Sequence, residues 1–64
     1  MWLIKRFYPQ GYQAYNLSQN FSVILWTKEE AQKLVNFMND DQVELTAFHT
    51  FLMSQGIPYQ LWWK

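Results

Sequence analysis

The sequence predicts a small α+β domain: an antiparallel sheet of three to four strands, element order β-β-β-α-α-β, with two helices packed on one face. Three observations predict it. The first 26 residues hold β-branched and aromatic runs broken by turn signals. Residues 27–55 then switch to apolar side chains at helical spacing. After Gly56-Ile57-Pro58 a short aromatic run returns to strand character.

Trp2 to Tyr8 reads as the first strand. Trp2, Ile4, Arg6 and Tyr8 point one way, and Leu3, Lys5 and Phe7 the other. Tyr8-Pro9-Gln10-Gly11 is a turn signal that suits type I, with Pro second and Gly fourth. Tyr12 to Leu17 reads either as a second, weaker strand or as a tyrosine-bearing loop. Ser18-Gln19-Asn20 has turn composition, and Phe21 to Trp26 is the clearest strand.

Thr27-Lys28-Glu29-Glu30 announces a helix. Thr27 caps it, Glu30 completes a capping box, and Trp26 can staple against Ala31. Ala31, Leu34, Val35 and Met38 make its apolar stripe, and it stops near Asn39 and Asp40. Asp41 with Glu44 repeats the capping pattern, so a second helix is expected from there, with Leu45, Phe48 and Leu52 as its stripe and Phe51 beside it. Gly56 in the left-handed conformation, Ile57 against Leu52, and Pro58 end it as a Schellman motif. Tyr59 to Trp63 is the last strand. Pairing beside the first strand would tie down both ends of the sheet, and that order is expected.

Length and composition narrow the rest. Sixty-four residues make one domain, 1–64, with a folded surface of about 4,400 Å2 by size scaling. Half the chain is apolar, a fifth aromatic, and 16% charged, with zero formal net charge. There is no Cys, so disulfides, thiolate zinc sites and cysteine nucleophiles are excluded, and a reducing, cytoplasmic setting is expected. The longest apolar runs fall far short of the ~20 residues that cross a bilayer, and the first charges follow the apolar residues, the reverse of a signal peptide. No membrane association is expected.

The chemistry-bearing residues are few. His49 is the one histidine, without a nucleophile motif around it or a zinc-ligand spacing. It reads as a boundary histidine making one hydrogen bond. Glu29-Glu30 and Asp40-Asp41 sit where helices begin, and capping accounts for them. The only glycines are Gly11 and Gly56, so no phosphate-cradling loop exists. The expectation is a non-enzymatic protein with no cofactor and no metal.

Large side chains lie on both faces of the expected strands. Tyr59, Leu61 and Trp63 oppose Gln60 and Trp62, and Phe21, Val23 and Leu25 oppose Ile24 and Trp26. Two short helices cover one face only. The surplus aromatics therefore mark an interaction surface. Its expected anchors are Tyr8, Tyr12, Tyr15, Trp62 and Trp63, with Lys5 or Arg6 at the rim. The expected partner is another protein, with a homodimer as a second use of the same surface. The chain's size and aromatic, Gln/Asn-rich surface suit an accessory or inhibitor protein of the kind phages and bacteria encode. The alternative is a single-stranded nucleic-acid binder that stacks bases on the sheet aromatics beside Lys5 and Arg6. Zero net charge weighs against it.

Overall fold

A computed structural model describes residues 1–63. Strands β1 (Trp2–Arg6), β2 (Tyr12–Asn16) and β3 (Phe21–Leu25) precede helices α1 (Lys28–Met38) and α2 (Ala47–Gln55), and β4 (Gln60–Trp63) closes the order. The sheet is antiparallel throughout, in the order β1-β2-β3-β4. The α+β class and the element order are those the sequence predicts. The folded surface of 4501 Å2 sits close to the scaling value.

The alternation of strand side chains builds the core. Trp2, Ala14, Phe21, Val23 and Leu25 share one face and bury it against Ala31, Leu34, Val35 and Met38 of α1 and Phe48 and Leu52 of α2. All four residues of the expected α1 stripe are buried. The opposite face carries Leu3, Lys5, Gln13, Tyr15, Ser22, Ile24, Gln60 and Trp62, and no helix covers it.

Tyr12–Asn16 is a strand rather than a loop. It turns into β3 through Asn16, whose Oδ1 accepts from the backbone N–H of Ser18 at 3.0 Å and from its hydroxyl at 2.7 Å. The β1–β2 connection differs from the expected type I turn. Phe7 N–H donates to the Gly11 carbonyl at 3.1 Å, which closes a loop over Tyr8, Pro9 and Gln10, and the Tyr8–Pro9 peptide is cis.

Thr27 caps α1, its Oγ1 accepting from Glu30 N–H at 3.2 Å. The reciprocal half of the box is missing, since Glu30 Oε1 is buried without a hydrogen-bond partner. Trp26 stays 63% exposed, so it contributes little as a staple. The second helix starts later than expected. Asp40 Oδ1 accepts from Gln42 N–H at 3.0 Å, and Val43 N–H reaches the Asp40 carbonyl at 3.1 Å. That local turn captures the backbone groups an Asp41 cap would need. The helix begins at Ala47, and Thr46 makes no side-chain cap bond. Its end follows the expected motif: Gly56 has φ +68°, Ile57 N–H bonds the Leu52 carbonyl at 3.0 Å, and Gly56 N–H bonds that of Met53 at 3.2 Å.

The expected pairing of the last strand with the first is wrong. β4 lies beside β3, with Phe21 opposite Trp63 and Ile24 opposite Gln60. Two contacts account for this. Phe48 of α2 packs on Phe21 and Tyr59, with ring centroids 5.5 and 6.0 Å away, so α2 delivers the chain to the β3 side. At the β1 edge, Asn39 accepts from Trp2 N–H at 2.7 Å and donates to the Trp2 carbonyl at 3.2 Å. Those outward backbone groups are thus already taken.

Candidate aromatic surface and sheet edge

The seven expected anchor and rim residues fall into three groups. On the open face, Lys5 Nζ sits 5.0 Å over the Tyr15 ring. Trp62 shares that face two strands away, across Ser22, and packs edge-on to Phe7 at 6.0 Å. At the β1–β2 end, the Arg6 guanidinium lies 5.5 Å from the Tyr8 ring and 5.4 Å from the Tyr12 ring. Tyr8 is 76% exposed, whereas Tyr12 is half-buried against the core. Trp63 is on the helix side of β4, 5.4 Å from Phe21, and is still 60% exposed. Trp2, on the helix side of β1, is core.

One pair on the open face had no sequence signal. Gln13 Nε2 donates to Ser22 Oγ at 2.7 Å, and both residues are buried. The amide and hydroxyl satisfy each other in a position where a lone polar group would be costly. Trp26, which alternation sets on the face opposite Val23 and Leu25, is exposed but does not figure among the expected anchors.

Backbone direction in the sheet follows from its two ends. Trp2 turns its N–H and C=O outward to Asn39, while Phe7 bonds inward to Gly11. Strict antiparallel alternation carried across the registers then directs Gln60 and Trp62 toward β3, and Leu61 and Trp63 toward solvent. All of Gln60–Trp63 is exposed, and none of these four residues is charged. The two edges of the sheet therefore differ. β1 carries Lys5 and Arg6 and has Trp2 occupied by Asn39, devices that discourage added strands. Among the described residues, β4 has neither.

His49 is exposed, and its Nδ1 is hydrogen-bonded to the Tyr59 hydroxyl. No Ser, Asp or Glu side chain is hydrogen-bonded to it among the described residues. Three or more His, Asp or Glu side chains do not gather at any point among the described residues. No helix among them is long and apolar enough to cross a membrane. Comparison with protein-family models, curated proteins and solved structures finds no match to this chain. The class that fold and surface define is a small α+β domain with one guarded and one unguarded sheet edge.

Proposed function

We propose that the protein is a non-enzymatic binding module that adds an extended segment of a partner protein to the outer edge of β4. The observation that carries this reading is the edge itself: outward backbone groups at Leu61 and Trp63, no charged residue within Gln60–Trp63, and tryptophans on both sides of the strand. Strand addition draws affinity from main-chain hydrogen bonds and specificity from alternate side chains. Trp62 on the open face and Trp63 on the helix side would grip the partner segment from both faces, in keeping with the weight of Trp at binding hot spots. Tyr8, Tyr12, Tyr15, Lys5 and Arg6 belong to β1, β2 and their connection, on the far side of the sheet from this edge, and take no part in the strand addition. The module would act as an accessory or inhibitor by occupying its partner's strand.

The test is selection of binders from a random extended-peptide library, followed by affinity measurement on two variants. Leu61→Pro removes an outward N–H that β3 does not use, so the fold tolerates it. Binding should fall at least ~10-fold in Leu61→Pro and in Trp63→Ala, about 1.4 kcal/mol or more. Folded variants that bind like the parent would overturn the reading. Oligonucleotide binding with a steep salt dependence would instead favour the nucleic-acid alternative. Sedimentation at several concentrations would expose a second copy as the partner strand.

A further inference from the structure

We propose that a recess at the end of the open face, between the β1–β2 loop and the start of β4, is a binding site for an uncharged planar aromatic group. The recess has a volume of about 360 Å3, within the ~300–1,000 Å3 of small-molecule pockets. Its lining residues include the aromatic Phe7 and Trp26 and the prolines Pro9 and Pro58, and Tyr59, whose ring packs on Phe48, borders it. Such surfaces favour planar partners through offset or edge-on packing. Ile24 adds aliphatic surface. The side-chain polar groups of the lining residues are the amides of Gln10 and Gln60, each able to donate and accept, and the Tyr59 hydroxyl, which is already hydrogen-bonded to His49.

Among the described residues, no charged side chain lines the recess. A carboxylate or ammonium placed there would lose water and gain no counter-charge. An indole or phenol would lose little, and its N–H or O–H can reach a glutamine amide. The recess is also built into the fold. Gly11, at φ +101°, approaches the Leu25 carbonyl so closely that a Cβ would lie 2.6 Å from that oxygen. Glycine alone lets the Phe7–Gly11 loop lie against the end of β3, and this contact sets the recess wall. Trp26, 63% exposed at this site, has no other structural task that its exposure explains.

The test is an amide-resolved NMR titration with indole, with indole-3-acetate and tryptamine as charged counterparts. Indole should shift Gly11, Ile24 and Gln60 with a millimolar dissociation constant, and both charged analogues should bind at least ~5-fold more weakly. Trp26→Ala should weaken indole by about 5-fold, the scale of one aromatic contact. Ile24→Phe fills the recess and should abolish the shifts. Trp63→Ala should change nothing, which separates this site from the β4 edge. The proposal is overturned if the recess amides do not move, if the charged analogues bind equally, or if a folded Trp26→Ala or Ile24→Phe variant binds indole like the parent.

Discussion

Asn39 joins two elements with one side chain. It ends α1 and also occupies the backbone of Trp2, 37 residues earlier. Asn39→Ala should leave Trp2 short of both partners and cost ~1–3 kcal/mol in urea unfolding. Nothing local in the sequence marks this, because asparagine after a helix already has a role as a terminator. The Gln13–Ser22 pair was hidden for the same reason: its partners are set by register rather than by neighbours in the chain. Ser22→Ala should strand a buried amide at a cost of ~1–3 kcal/mol, while replacing both residues by Met and Ala should recover most of it. Gly56 is the opposite case. Gly-Ile-Pro states its conformation outright, and φ +68° follows. Open space surrounds the position of a Cβ there, so Gly56→Ala should lose roughly 1 kcal/mol from backbone conformation alone. A melting temperature equal to that of the parent would contradict this.

At the scale of elements, legibility followed how local the determining interactions are. α1 was readable because its cap, stripe and end all lie within its own residues. Thr27→Ala should destabilise by ~0.5–2 kcal/mol, and Thr27→Asp should be tolerated, by thermal melting. α2 was misplaced at its start because the sequence offers two competing uses for one acidic pair. Asp40 wins with a tight turn, and the Asp41/Glu44 pattern caps nothing. Glu44→Ala should therefore change stability by less than ~0.5 kcal/mol, whereas a true capping box would cost more. β4 was identified as a strand but placed on the wrong side. Its neighbour is chosen by the Phe48–Phe21 and Phe48–Tyr59 packing, which no single-strand pattern reveals.

For the whole molecule, the surplus of aromatics implies exposed ones without saying where on the surface they lie. Two helices cover one face of a four-stranded sheet, and Tyr8, Trp26, Trp62 and Trp63 remain at the surface. The structure divides these between a loop, the open face and the β4 edge, so a single aromatic patch gives way to an edge and a recess. What separates them is backbone geometry, which residue types do not carry. The two sheet edges differ: β1 is guarded by Asn39, Lys5 and Arg6, and β4 presents Leu61 and Trp63 with no such guard among the described residues. Amide hydrogen exchange on β4, with and without a selected peptide partner, tests this difference most directly. Without the peptide, the Leu61 and Trp63 amides should exchange faster than those of Gln60 and Trp62, which bond to β3. With it, Leu61 and Trp63 should gain protection of at least ~10-fold while the amides of β1 stay unchanged. Protection that appears on β1, or binding that leaves the Leu61 and Trp63 amides as open as before, would contradict the account.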